Sequence, residues 1–195
     1  MRNRRSMLFM PGNNPGMLIS ADILGADSII YDLEDAVSLD EKDSARILVR
    51  NALSFLEFTR SEITVRINPI DSPYWEKDLE TIIPVLPDGI VIPKASVDAV
   101  HSVEQKIDEV KKTAGIKENF RILMLVESAR GIADVNAIAK ASPAIEALLL
   151  GGEDYSVDMG IQRTRFSKEL EYARFSLATA AHAYGLDSLD TPFID

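Results

Sequence analysis

The chain has 195 residues, 46% of them hydrophobic and 27% charged, an ordinary globular composition that can bury a core as a single domain spanning 1–195. Its net charge of −10 speaks against nucleic acid as a partner, because phosphate binding needs a basic face. With no cysteine and two histidines, disulfides, thiolate nucleophiles and Cys- or His-rich metal centres are excluded, so any metal has to be held mainly by oxygen.

The N-terminus, Met1-Arg2-Asn3-Arg4-Arg5, runs into a strand-like Met7-Leu8-Phe9-Met10 without an apolar leader or cleavage site. No apolar stretch approaches the roughly 20 residues of a membrane span, so a cytoplasmic protein without a membrane partner is expected. The Arg2, Arg4, Arg5 cluster reads as a solvated terminus, with an anion or partner contact as the alternative.

Seven apolar runs predict strands at about 6–10, 28–32, 63–67, 89–93, 121–127, 146–151 and 187–193, with a helix in each gap. Asn14-Pro15 supplies an N-cap and a first-turn proline for a helix over Gly16 to Leu24 that Gly25 stops. Asp43 to Phe58 carries Ile47, Leu48, Ala52, Phe55 and Leu56 on one face, and Val97 to Ala114 carries Val100, Val103, Ile107 and Val110. Shorter helices are expected over Tyr74 to Ile83 and Ile132 to Ala141. A longer one covers Lys168 to Tyr184, with Leu170, Ala173, Leu177, Ala180 and Ala181 inward.

Strict β-α alternation makes a parallel sheet with right-handed crossovers. A doubly wound sheet competes with a (β/α)8 TIM barrel. The segment Pro11-Gly12-Asn13-Asn14-Pro15-Gly16 lacks the glycine spacing of a dinucleotide or phosphate loop. Polar residues end nearly every strand rather than two at a switch point, which favours the barrel. A barrel needs eight strands and this sequence supplies about seven βα units, so the expectation is a C-terminally incomplete barrel, a fragment or truncated product unless a partner chain supplies the missing edge.

The charges that end the runs are the candidate site. Glu127 and Asp154 close neighbouring strands and suit a hard cation, with substrate and water oxygens filling the remaining positions. The alternative is that both merely cap the helices that follow. Arg66 can grip a substrate carboxylate bidentately, or pair with the Asp32-Leu33-Glu34-Asp35 group, in which Asp35 is a possible N-cap. Three carboxylates so close need a cation or arginine to stay ionised. Lys94 raises a Schiff-base alternative, set against a structural ion pair. His101 and His182 fall inside helices as surface or packing residues, and Gly151-Gly152 permits either a close ligand approach or a tight turn.

In order, Arg4-Arg5-Ser6-Met7-Leu8-Phe9-Met10-Pro11-Gly12-Asn13, Asp32-Leu33-Glu34-Asp35-Ala36-Val37, Val65-Arg66-Ile67-Asn68, Pro93-Lys94, Val126-Glu127-Ser128-Ala129-Arg130-Gly131-Ile132 and Gly151-Gly152-Glu153-Asp154-Tyr155 resemble the motifs of the HpcH/HpaI aldolase and citrate lyase family. Within it they are most similar to the branch of the citrate lyase beta subunits. The resemblance implies Glu127 and Asp154 as Mg2+ ligands, Arg66 as the substrate carboxylate anchor, and retro-aldol cleavage of a citryl thioester on an acyl carrier protein to oxaloacetate and an acetyl thioester. Implied partners are the carrier protein, the other citrate lyase subunits and further copies of this chain. Malyl- or citramalyl-CoA lyase, pyruvate aldolase and an inactive assembly component are the alternatives. Gly16 and Ser20 stand where members acting on coenzyme A thioesters tend to carry lysines, a loss that the arginine cluster could offset. The family's eighth strand, lid and cross-subunit aspartate lie beyond this sequence, so the catalytic acid or base is not named; Asp32, Glu34, Asp35 and Lys94 stand as supporting residues.

Overall fold

A computed structural model describes residues 4–192. Seven strands alternate with helices, and their order in the sheet, β1 to β7, is their order in the chain. The pairs β1/β2, β2/β3, β3/β4, β5/β6 and β6/β7 are all parallel. Sequential order is that of consecutive barrel units, whereas a doubly wound sheet reverses direction at a switch point. The fold class is therefore the expected incomplete TIM barrel. The chain divides into two compact units, Met1–Val91 with Ser102–Phe120 and Ile92–His101 with Arg121–Asp195.

The first unit holds β1 (Met7–Pro11), β2 (Ser28–Asp32), β3 (Glu62–Arg66) and most of β4 (Gly89–Ile92). Strands β2 and β3 are buried at every position, the condition that allows unbroken apolar runs. Register places Asp32 opposite Arg66. Helix α1 (Pro15–Ser20) starts as expected, with the Asn14 side chain accepting from the Met17 N–H at 3.1 Å and Pro15 in the first turn. It then tightens into a 3-10 turn over Ala21–Ile23 before Gly25, whose φ of +79° ends the segment. Helix α3 covers Trp75–Ile82, and α4 covers Val97–Ala114 with its four predicted apolar residues buried.

Helix α2 spans Lys42–Phe55 and turns a different face inward from the one expected. Lys42, Ala45, Arg46, Val49 and Ala52 are buried, whereas Ile47 is exposed and Phe55 is 83% exposed. Two cations go inward because each finds partners: Lys42 Nζ donates to the Leu33 and Glu34 carbonyls at 2.8 and 2.7 Å, and Arg46 Nε to buried Asp78 at 2.7 Å. Asp35 is not an N-cap. The helix is entered through a 3-10 turn over Leu39–Glu41, and Asp35 lies in the turn before it.

Arg4 is not part of a solvated cluster. Its guanidinium is buried and donates to both oxygens of Glu62, at 2.7 and 2.8 Å, at the start of β3. Arg5 pairs with Asp27 at 2.7 Å just before β2, and Arg2 lies outside the described residues. These arginines are tied to the N-terminal ends of the strands, opposite the ends that carry Asp32 and Arg66.

The second unit holds β5 (Ile122–Val126), β6 (Ile145–Leu150) and β7 (Asp187–Leu189). The last is shorter than expected, and the predicted residue 193 lies outside the described residues. Helices α5 (Ala129–Ala133) and α6 (Val135–Ala139) replace the single helix expected over 132–141. Helix α7 (Gly152–Asp158) was not anticipated. Helix α8 (Glu171–Ala183) buries the small and apolar residues predicted for it, and both histidines are exposed.

Candidate functional site

In the first unit, the paired register of β2 and β3 sets Asp32 and Arg66 side by side, both buried. Arg66 Nε and Nη2 each donate to one oxygen of Asp32 at 2.6 Å, a bidentate geometry that fixes the guanidinium plane. The Asp32 oxygens also accept the N–H groups of Glu34 at 2.9 Å and Ala36 at 3.0 Å, so the carboxylate folds the following turn around itself. Lys42 pins that turn from behind through its two carbonyl contacts. Gly12 lies so close to it that a Cβ would come within 2.7 Å of the Asp32 carbonyl oxygen, and Phe9 lies beneath the guanidinium with its ring centre 5.0 Å from Cζ.

The remaining terminal nitrogen, Nη1, lies 2.9 Å from Glu34 Oε2 and 3.6 Å from Asp35. The closer contact is an ion pair by distance only, since among the described residues Glu34 Oε2 makes no hydrogen bond although it is buried. Burial would lower the Arg66 guanidinium, yet the hydrogen bonds and charge of Asp32, then Glu34 and Asp35, hold it above its ordinary range. Glu34 goes the other way: burial pushes its carboxyl up to about 7, with Asp35 and Asp32 adding to the effect and Arg66 opposing it. Burial likewise lowers Lys42, against the pull of the surrounding carboxylates.

Two residues of this neighbourhood, Arg46 and Asp78, carry no signal in the sequence, and Asn68 enters it only as the end of the Val65-Arg66-Ile67-Asn68 motif. Asp78 of α3 is wholly buried and accepts from the Asn68 backbone and side-chain N–H at 2.9 and 2.7 Å as well as from Arg46. It holds the segment that follows Arg66. No local pattern joins Arg46, Asn68 and Asp78, which come from different elements.

In the second unit, Glu127 follows β5 and is buried. Its Oε1 accepts the Lys94 N–H at 2.7 Å, and to present that N–H Lys94 adopts φ +47°, a left-handed conformation costly for a residue with a side chain. Lys94 thus serves through its backbone, and its side chain is exposed. Gly151 continues the β5/β6 ladder by donating to the Val126 carbonyl at 3.0 Å. A Cβ there would lie 2.5 Å from Glu127 Cβ and 2.8 Å from Oε2, so only glycine leaves room for this carboxylate. Gly152 is bound in turn by the Thr191 hydroxyl at 2.9 Å.

Neither Glu127 nor Asp154 caps a helix. The N-cap of α5 is Ser128, whose side chain accepts from the Gly131 N–H at 3.0 Å, and the N-cap of α7 is Gly151, which has no side chain to cap it. Asp154 is exposed and, among the described residues, makes no hydrogen bond or ion pair, whereas its neighbour Glu153 pairs with Arg163 at 2.8 Å. Among the described residues no group of three or more His, Cys, Asp or Glu side chains is placed to enclose an ion. Two oxygen donors, the backbone-held Glu127 carboxylate and the open one of Asp154, have the chemistry that a magnesium ion keeping water and substrate oxygens in its shell would take.

A sequential parallel βα fold with charged residues at the strand ends is the architecture of the barrel class, in which strand ends carry the chemistry. The model of the HpcH/HpaI aldolase/citrate lyase family matches residues 5–195, and the chain belongs to that family. It is 43% identical over 194 residues to the citrate lyase subunit beta of Leuconostoc mesenteroides, covering 98% of this chain and 64% of that protein. An L-malyl-CoA/beta-methylmalyl-CoA lyase of Cereibacter sphaeroides is 30% identical over 215 residues, covering 100% of this chain and 68% of its own length. The citrate lyase beta subunit of M. tuberculosis, solved with oxaloacetate and magnesium, superposes with a TM-score of 0.80 at 26% identity, covering 100% of this chain and 82% of that one. The chain thus spans about two thirds of the length of the citrate lyase relative it matches. No helix among the described residues is long and apolar enough to cross a membrane.

Proposed function

We propose that this chain serves as the beta subunit of a citrate lyase, a Mg2+-dependent carbon-carbon lyase that cleaves a citryl thioester on acyl carrier protein to oxaloacetate and an acetyl thioester. The observation that carries the reading is the state of Glu127 and Asp154. Glu127 follows β5 and Asp154 lies in the first turn of α7, after β6; neither caps a helix, and Glu127 is shaped by Gly151 and by the Lys94 N–H. In this reading Glu127 and Asp154 hold Mg2+, and Arg66 holds a substrate carboxylate. Bound there, the cation supplies Lewis-acid polarisation of the hydroxyl and carboxylate oxygens of the oxaloacetate half.

The chain's own residues orient and exclude. Asp32 locks the Arg66 plane so that a carboxylate meets a fixed donor, and the Lys94 N–H fixes the rotamer of Glu127. Cleavage breaks one carbon-carbon bond: the hydroxyl proton goes to a base, the hydroxyl carbon becomes the ketone of oxaloacetate, and the electron pair leaves on the thioester enolate, which is then protonated. Asp32, Glu34, Asp35 and Lys94 support this chemistry without being assigned as that base. In the same reading the chain is one barrel domain, works in the cytoplasm, assembles with the other lyase subunits and with further copies of itself, and receives its substrate on the carrier protein.

The malyl-CoA lyase relative supports a second reading in which the substrate is a malyl thioester of coenzyme A. Turnover separates the two. With Mg2+ supplied, cleavage of citryl but not malyl thioester is expected, and the reverse preference rejects the citrate assignment. Glu127→Ala and Asp154→Ala are each expected to abolish Mg2+ binding with the fold retained; unchanged Mg2+ affinity in both removes these carboxylates from the site.

A further inference from the structure

We propose that Glu34 and an anionic substrate compete for Nη1 of Arg66, so that a carboxylate binds there with uptake of one proton on Glu34. The proposal rests on the reading that Arg66 is the carboxylate anchor. It follows from how the guanidinium is already spent. Nε and Nη2 are committed to Asp32, leaving Nη1 as the terminal nitrogen whose partners are ion-paired by distance alone, Glu34 at 2.9 Å and Asp35 at 3.6 Å.

Asp32 is the costly partner to displace. Its oxygens also carry the Glu34 and Ala36 N–H groups, and breaking them undoes the turn that Lys42 holds. Glu34 is the cheap one, because its Oε2 is buried without a hydrogen bond. The charged groups facing it are Asp32 from β2, Arg66 from β3, Asp35 from its own turn and Lys42 from α2. Three carboxylates already face two cations there. A fourth, brought by the substrate, would leave two uncompensated negative charges beside the guanidinium, of which only the exposed Asp35 is screened by solvent, and protonating Glu34 removes the buried excess. Burial has already raised the Glu34 carboxyl to about 7, so the proton is available near neutral pH.

Pyruvate, a stable 2-oxo carboxylate, serves as the probe. Calorimetric titration into the Mg2+-saturated protein at about pH 8, repeated in buffers of different ionisation enthalpy, reads the protons taken up. Close to one proton is expected for the wild type, with affinity falling by a factor approaching ten for each pH unit above about 7. Glu34→Gln, which keeps the neutral shape, is expected to bind without uptake and with a flat pH profile. Binding by the wild type without uptake, or uptake that persists in Glu34→Gln, overturns the proposal. Asp35→Asn keeps Glu34 in place and is expected to retain the uptake, so the test stands even if Glu34→Gln fails to fold. Arg66→Gln separates the two levels: lost pyruvate binding upholds the anchor whatever Glu34 does, whereas unchanged binding, or a wild type that binds no pyruvate, rejects the anchor and the competition together.

Discussion

Asp32 and Arg66 are partners in register across β2 and β3, and each oxygen of the one meets a nitrogen of the other at 2.6 Å in a buried setting. A parallel ladder points in-register side chains to the same face, so the pair is set by strand geometry before any substrate arrives. Its value to the protein is orientation as much as stability, because a buried ion pair gains little net free energy over a well-packed apolar pair.

Removing one partner is another matter. Asp32→Asn removes the buried charge that Arg66 meets bidentately, leaving Glu34 and Asp35 as its ion-paired neighbours, and takes the acceptor from either the Glu34 or the Ala36 N–H. Unfolding free energy is expected to fall by about 3–5 kcal/mol, read from urea denaturation at neutral pH. A loss below about 1 kcal/mol would mean that the pair behaves as an exposed one.

Glu34 makes stability depend on pH in a direction opposite to that of most carboxylates. Its folded-state value is raised to about 7 from an ordinary 4.5, so between those two values the folded chain holds a proton that the unfolded chain has released. Stability from this group therefore falls as pH rises through that window and is flat above it. Glu34→Gln is expected to be more stable than the wild type at about pH 8, by up to about 3 kcal/mol, with the gain absent at about pH 4. Thermal melts at both pH values decide it: a variant less stable at the higher pH shows that the Arg66 charge outweighs burial.

What the sequence made legible follows from which forces are local. Strands β2 to β6 announce themselves because burial on both faces requires unbroken apolar runs, and Arg66 and Glu127 stand out because a charge ends each run. Helix α7 did not stand out, since Gly152–Asp158 is too short for a helical period and opens on glycine. The face of α2 was misread because hydrophobicity ranks Ile47 and Phe55 above Lys42 and Arg46, while the fold supplies carbonyls and Asp78 that bring the two cations inward. The Lys94 backbone N–H, held at φ +47°, donates to Glu127, a role that residue type does not encode.

The Arg4–Glu62 pair tests whether the N-terminal arginines belong to the fold or to ligand binding. Both side chains are almost wholly buried. Arg4→Met is expected to cost about 3–5 kcal/mol by removing the buried cation that both Glu62 oxygens meet, and the double change to Met at both positions to recover much of that loss. Mg2+ affinity is expected to be unaffected in the double variant. A ligand-binding role would show instead as lost substrate affinity with stability intact.

Gly151 offers the sharpest separation of site from scaffold. An added Cβ would meet Glu127 Cβ at 2.5 Å and Oε2 at 2.8 Å, distances no pair of carbons tolerates without a shift. The backbone of Gly151 is tied to Val126 and cannot retreat freely, so the carboxylate has to move, and the Lys94 N–H loses its acceptor with it. Gly151→Ala is therefore expected to lower stability by about 1–3 kcal/mol and to weaken Mg2+ binding at least tenfold, measured by melting and by calorimetric titration of the metal. Asp154→Ala, at an exposed position without partners among the described residues, is expected to remove the metal with a stability change within about 0.5 kcal/mol. If Gly151→Ala keeps full Mg2+ affinity while losing stability, Glu127 is held in place for the fold and not for a cation.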